Sequence, residues 1–310
     1  MRNCIDKLIR VVAFFLVVLT VSSCLNSSSK TPVYHTRVVL LSEGKSASSI
    51  GQTINSIQGR VEKIYHRDVK VSAGERDSII LEIAGDHHIS SLSNFITSRG
   101  NFQINKIHPP EQVWPLIKPL PNADTLHNYL DTIFYKGSVT FGWVKGNDTT
   151  AISQILNAPA YLNQLPEGSK WAFGLPNELS LVPNQIPIYL LADVKLANVD
   201  AGSIKNASPA LGVTGEHVID ITFNDEYKDK FWKLTRKNIG KQLAMSIDGV
   251  VISAPTVAGE VEGGRVSISG LSDDISVKRL YCAAIMYPLF DEVNVVSVDS
   301  IKTIMEPQEE

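Results

Sequence analysis

Cysteine is scarce in this chain, and the residue patterns that usually announce an enzyme are missing. The cysteines are Cys4, Cys24 and Cys282. There is no H-E-x-x-H, no cysteine pair at zinc spacing, no P-loop and no G-x-S-x-G. Zinc chemistry, phosphate cradling and serine hydrolysis therefore have no motif to rest on. An excess of one charge is also lacking. Lys plus Arg number 29 against 32 Asp plus Glu, a formal net charge of −3. Such a surface has no general attraction for nucleic acid or anionic lipid, so nucleic-acid binding is set aside. Beyond residue 23, long apolar runs are absent. No later stretch reaches the about 20 apolar residues that a membrane helix needs.

What is present begins with a processing signal. Arg2, Lys7 and Arg10 form a positive region, and Val11 to Val21 is an apolar run too short to span a bilayer comfortably. Val21-Ser22-Ser23-Cys24 follows and resembles the bacterial lipobox, in which the cysteine is acylated and becomes the first mature residue. Residues 1–23 are read as a lipoprotein signal peptide, Cys24 as the lipid attachment site and 24–35 as a polar tether. Cys4 leaves with the signal and Cys24 carries lipid, so Cys282 stands alone and no intramolecular disulfide is expected. It sits among Ile275, Val277, Leu280, Ala284 and Ile285, which suits a buried small hydrophobe better than a reactive thiol.

A chain of 310 residues has room for one large or two modest domains. Arg37 to Leu41 reads as a strand. Ile50, Ile54, Ile57, Val61 and Ile64 recur at steps of four, three, four and three, the stripe of a helix from Ser46 to Tyr65. Val69 to Ala73 and Ser78 to Ala84 read as strands. Ile89, Leu92, Phe95 and Ile96 mark a second helix closed by Gly100, and Phe102 to Ile107 alternates as a strand. The order β-α-β-β-α-β over 36–107 predicts a ferredoxin-like base within an α+β fold.

Residues 108–187 read as a folded insertion of unknown role. Pro109, Pro110, Pro115, Pro119 and Pro121 make its start irregular. A short helix is expected from Asp124 to Phe134 and a strand from Thr140 to Val144. Trp114, Trp143 and Trp171 argue that it packs. Ile188 to Val194 is read as a strand.

The most legible stretch is 218–270. Val218 to Phe223 is a strand that runs into Asn224, a good helix N-cap. Tyr227, Phe231 and Leu234 share one helical face, and Gly240 closes the helix in a left-handed turn. Trp232 points about 100° away from Phe231 and is a candidate contact residue. Lys241 to Ile247 and Val250 to Ala254 flank Asp248-Gly249, a two-residue hairpin signal, because a type I′ turn needs positive φ twice. Pro255 ends the pairing. Beyond Gly270, Ser272 or Asp273 caps a helix that runs through Tyr287, and Val293 to Val298 is a final strand. The tail is read as 301–310.

These residues carry a resemblance. FNDE, LTRKNIGKQLAMSIDGVVISAP and GGRVSISG look like the head of the first periplasmic domain of SecD and SecDF, accessory subunits of the bacterial Sec export channel. Asn238, Gly240, Lys241, Leu243, Ala244, Asp248, Gly249, Ser253, Ala254 and Pro255 fit the family pattern, as do Gly263, Gly264, Ile268, Ser269 and Gly270. The resemblance implies a SecD-like head at 188–270, and a helix and strand at 271–300 that return to the base. It is weaker in 36–107, where Gly59-Arg60-Val61 stands at the family's helix-ending arginine.

The chemistry expected is contact rather than catalysis. Asp248 is read as a turn residue rather than a carboxylate base. Asp86-His87-His88 is read as unsuited to a metal, because adjacent side chains on a turn diverge, so neither metal nor cofactor is expected. Lys241 and Arg265 are read as solvated charges. Val250 at the hairpin is a candidate contact. The lipobox at Cys24, the missing catalytic motifs and the resemblance together predict a non-enzymatic, lipid-anchored envelope protein that faces the periplasm, inner or outer membrane undecided. Its expected partners are Sec translocon components or exported polypeptides. The alternative is a structural or assembly module of a cell-envelope complex that reuses the head fold.

Overall fold

The computed structural model describes residues 33–43, 46–65, 69–84, 95–121, 123–130, 139–176, 185–192, 199, 202–269 and 275–303. Cys24, Gly270, Asp86-His87-His88 and the caps Ser272 and Asp273 lie outside the described residues, as do the signal segment and positions 304–310. In chain order the first elements are β1 (Val33–Ser42), α1 (Ala47–Tyr65), β2 (Val69–Ala73), β3 (Ser78–Ala84) and β4 (Phe102–Lys106). Next come α2 (Pro110–Ile117), α3 (Ala123–Tyr129), β5 (Gly142–Lys145), α4 (Thr149–Leu156), α5 (Pro159–Leu162), β6 (Lys170–Phe173) and β7 (Gln185–Leu191). Then follow β8 (Ile204–Leu211), β9 (His217–Phe223), α6 (Asp225–Lys237), β10 (Leu243–Ile247), β11 (Val250–Ser253) and β12 (Arg265–Ile268). The last pair is α7 (Ile275–Met286) and β13 (Val293–Thr303).

The base is a four-stranded antiparallel sheet in the order β13-β1-β3-β2. The alternation of β3, with Ile79, Leu81 and Ile83 fully buried, sets one face inward. Ile57 and Val61 of α1 close over that face, with Ala283 and Ala284 of α7 beside them. The order β-α-β-β holds through β3, but the helix and strand that complete this unit are α7 and β13; of the second helix read from Ile89 to Ile96, residues 89–94 lie outside the described residues and 95–97 form a helical turn. The fourth strand is β13, not the stretch 102–107. The chain leaves the base at Gly100, and β4 pairs instead with β10. The fold therefore inserts everything from β4 to β12 between the base's third strand and its second helix. The sheet also claims more chain than the sequence suggested: Val33 pairs with Thr303, inside segments read as tether and tail.

The head has its own core. Two three-stranded sheets, β11-β10-β4 and β12-β9-β8, pack against α6 and against one side of α7. Phe223, Tyr227 and Phe231 form its aromatic centre, with ring centroids 4.8 and 5.0 Å apart. The predicted N-cap holds, since Asn224 Oδ1 accepts from the Tyr227 N–H at 2.8 Å. Asp248 and Gly249 both take positive φ, 51° and 83°, as the predicted tight turn requires.

The described residues of 108–192 fold around a third core on the sheet β5-β7-β6, with Phe141 and Trp171 in edge contact at 4.9 Å. This unit is stitched into the head. Ile107 bridges Leu191, and Gly174 bridges Val251. With the β4–β10, β10–β11 and β6–β7 pairings, the strands close a ring around Ile107, Ala172, Leu191, Ala244 and Val251.

Candidate functional site

The site that organises the molecule is the joint between the base core and the head core. α7 is its wall: Ala283 and Ala284 belong to the base core, Cys282 and Ile285 to the head core. Residues 98–101 are its crossing, where the chain passes from one core to the other.

Arg60 holds the base side. Its side chain is fully buried on α1. Nε donates to the Tyr287 carbonyl at 2.7 Å. Nη1 donates to the carbonyls of Phe95, Ile96 and Ser98 at 2.9, 3.3 and 2.6 Å, and Nη2 to that of Arg99 at 3.1 Å. Those carbonyls end the helical turn 95–97 and have no helical partner beyond it, so one planar fork satisfies them together. Burial lowers the guanidinium to about 9, and the charge of Asp248 acts the other way. It therefore remains cationic at neutral pH.

Asp248 holds the head side. Its carboxylate accepts from Ser98 Oγ at 2.6 Å, from the Gly100 N–H at 3.1 Å and from the Asn101 N–H at 2.8 Å. Its own N–H donates to the Asn101 carbonyl at 3.1 Å. The turn residue is thus a latch, a role that its Asp-Gly context alone does not reveal. Gly100 between the two grips has φ 72°, and a Cβ there would stand 2.1 Å from the Ala284 carbonyl oxygen. Only glycine fits both conditions.

A polar stripe on α1 continues the joint. The hydroxyls of Ser49 and Thr53 donate to the Asp291 carboxylate, Thr53 at 3.1 Å, and Ser56 Oγ donates to the Pro288 carbonyl at 2.8 Å. With Arg60 these positions are spaced four, three and four, so the stripe runs beside the apolar one. That spacing is readable in the sequence. Gly59 makes room for Tyr287, whose ring a Cβ would approach to 2.5 Å.

A cavity of about 580 Å³ opens at the joint, lined among others by Arg99, Phe102, Gln103, Asp248 and Ile285. Val250 follows the Asp248-Gly249 turn and is 39% exposed. Trp232 is half-buried and engaged within the chain. Its indole N–H donates to Glu260 at 3.0 Å, and the Arg236 guanidinium lies 5.5 Å from its ring centroid.

The remaining motif residues sit in turns and pairings of the head. Asn238 is buried, and its Nδ2 donates to the Leu234 carbonyl at the end of α6. Gly240 takes φ 75° and its N–H donates to the Val257 carbonyl, while Lys241 is exposed and exchanges backbone bonds with Asn238 and Val257. Ser253 pairs with Met245, Ala254 packs on the ring core, and the Pro255 carbonyl accepts from the Leu243 N–H. Gly263 is exposed. Gly264 takes φ 63° where a Cβ would press Lys228, and its carbonyl accepts from Phe223. Cys282 is fully buried, and burial pushes its thiol up to about 12.

Comparison with known proteins follows the same geography. Residues 184–283 match the family model for the SecDF P1 head subdomain. SecD, a protein translocase subunit, from Sebaldella termitidis is 44% identical over 72 residues, covering 23% of this chain and 18% of that protein. SecD from Rhodothermus marinus is 31% identical over 134 residues, covering 43% and 21%. The chain therefore spans about a fifth of the length of the curated relatives it matches. Among solved structures, SecDF in a super-membrane-facing form aligns over 97% of this chain and 36% of its own, with TM-score 0.54 and 15% identity. A structure described as SecDF, a membrane component that enhances protein export, aligns over 86% of this chain and all of its own, with TM-score 0.51 and 16% identity. At these identities the structural likeness speaks for the fold. No described helix is long and apolar enough to cross a membrane. Residues 184–283 are thus similar to the head of the SecDF P1 domain, and the described chain has the α+β fold of that domain.

Proposed function

We propose that this chain is a membrane-anchored lipoprotein of the bacterial cell envelope that assists protein export, or handles exported chains, by protein–protein contact. It carries out no catalysis of its own. The observation that carries the reading is the match of residues 184–283 to the SecDF P1 head. The fold across the rest of the chain supports it.

The lipid at Cys24 acts as the anchor in this reading. The pairing of Val33 with Thr303 brings both ends of the described chain to one end of the base sheet. Cys24 and Val33 are nine positions apart, a span that reaches at most about 32 Å when extended. An acylated Cys24 keeps that end of the base near the lipid. The head then contacts Sec translocon components or exported polypeptides, with Val250 on the hairpin as a contact point.

Pulse-labelling of exported proteins tests the role. Cells lacking the chain are expected to accumulate unprocessed precursors, and the full chain is expected to restore processing. Wild-type export kinetics in the deletion strain, across several exported proteins, contradict the reading. Mass spectrometry of the protein from native membranes tests the anchor separately. It is expected to find an acylated N-terminal Cys24.

A further inference from the structure

The base sheet has one face whose outward residues fall into ordered rows. The base core lies on the other face, against α1 and α7. On the outward face, Lys70 stands opposite Glu82, Glu82 opposite Arg37, and Arg37 opposite Asp299. The row therefore reads plus, minus, plus, minus across the four strands. The neighbouring row reads Ser72, Ile80, Val39, Ser297, with its apolar pair in the middle. Leu41 stands one row further on and is 43% exposed. Within the charged row, the Nε of Arg37 is buried and has no hydrogen-bond partner.

We propose that this face binds a second copy of the chain, sheet against sheet. The charge order is self-complementary, because plus-minus-plus-minus read backwards is minus-plus-minus-plus. A twofold axis lying in the interface and running along the strands reverses the row and keeps the strand direction. Lys70 then lies over Asp299 of the second copy, and Arg37 over Glu82 of the second copy. In the next row Ile80 and Val39 cover each other. An axis running across the strands would set each charge over its own counterpart, like on like. The charges therefore select the first arrangement.

That arrangement also sends the Val33 and Thr303 ends of both copies the same way, so one membrane can hold both. The face measures about 450 Å² per copy at ordinary strand spacing and rise. This is at the small end for a specific pair, so the association is weak and salt-sensitive. Confinement to a membrane would raise its occupancy. The proposal does not depend on the export role.

Zero-length carbodiimide coupling of the full chain in native membranes tests it. Within one copy Lys70 and Asp299 occupy opposite edges of the sheet, about 14 Å apart, so an amide between them forms only between copies. With isotopically light and heavy copies mixed, a light–heavy Lys70–Asp299 linked peptide is expected. A second test uses two full-chain variants with inverted charges. One carries Lys70→Glu and Arg37→Glu, the other Glu82→Lys and Asp299→Lys. Each alone is expected to sediment as a monomer in detergent, and the equimolar mixture as a heterodimer. Absence of the light–heavy peptide in wild type overturns the proposal, as does a mixture that stays monomeric while both variants remain folded by circular dichroism. Self-association of either variant at the wild-type level also overturns it.

Discussion

Arg60 and Asp248 grip the same four residues from opposite sides. Arg60 takes the carbonyls of Ser98 and Arg99, and Asp248 takes the N–H groups of Gly100 and Asn101. The two side chains come from separate cores and lie 188 positions apart in a chain of 310 residues. Between them, both kinds of backbone polar group in the crossing are satisfied. The orientation of head on base is set here by charge-assisted hydrogen bonds as well as by apolar packing.

Removal of the Arg60 fork leaves several buried carbonyls without a donor. Arg60→Met is expected to cost about 3–5 kcal/mol, because several carbonyls lose their donor at about 1–3 kcal/mol each. Arg60→Lys recovers little, because an ammonium cannot reach carbonyls in a planar fan. Urea unfolding of the three proteins measures both numbers.

Asp248→Asn keeps the positive φ, which Asn tolerates, and loses the ionic acceptor. A loss of about 0.5–1.5 kcal/mol is expected, because Asp248 is exposed and the Asn carbonyl oxygen can still accept. Asp248→Asn and Ser98→Ala should be non-additive, because they share the 2.6 Å bond. A double-mutant cycle that gives strict additivity contradicts the latch.

Glycine substitutions separate strain from crowding. Gly249 has φ 83°, and a Cβ there would meet nothing within 4 Å, so Gly249→Ala carries only the left-handed penalty of about 1–2 kcal/mol. Gly100 has a similar φ, but a Cβ would meet the Ala284 carbonyl. Gly100→Ala is expected to exceed the Gly249→Ala loss clearly in the same unfolding assay.

Much of this fold is legible in the sequence, and the misreadings have physical causes. The apolar stripe of α1, the Asn224 cap and the Asp248-Gly249 turn are local, and local signals read well. The destination of β4 is not local. Phe102 to Lys106 alternates as any half-buried strand does, and nothing in the segment says that its partner is Leu243 to Ile247. The sequence pattern starts β7 three residues late because Pro187 reads as a breaker, although the strand carries it in a central position and still pairs it with Trp143. β8, for which the sequence offers no clear strand pattern, carries Pro209. That proline lies in an edge strand, where a missing N–H is tolerated. The turn at Asp248 reads correctly, but its latch role depends on Ser98 to Asn101, which come from far away in the chain.

Acid should weaken the fold through His108. Its Nε2 lies 3.0 Å from Ser169 Oγ, and burial holds the imidazole below its ordinary 6.5. Below that value the unfolded chain binds the proton more readily than the folded one. Stability is therefore full above 6.5 and falls as the pH drops from there toward the folded value. Urea midpoints on either side of 6.5 should converge in His108→Gln.

Cys282 should behave as core. With its thiol pushed up to about 12, almost no thiolate exists at neutral pH. Peptide-level mass spectrometry after iodoacetamide treatment is expected to find Cys282 unmodified in the folded protein and alkylated in urea. Rapid labelling of the native chain would contradict the packing of α7 between the two cores.

The most direct test of the export reading is photo-crosslinking in the native host. A photoreactive residue replaces Val250, with a matched control at Glu309. The account predicts capture of Sec channel subunits or nascent exported chains from position 250 and not from position 309. Reproducible capture of only an unrelated envelope complex would contradict it and mark the head as a fold reused for assembly.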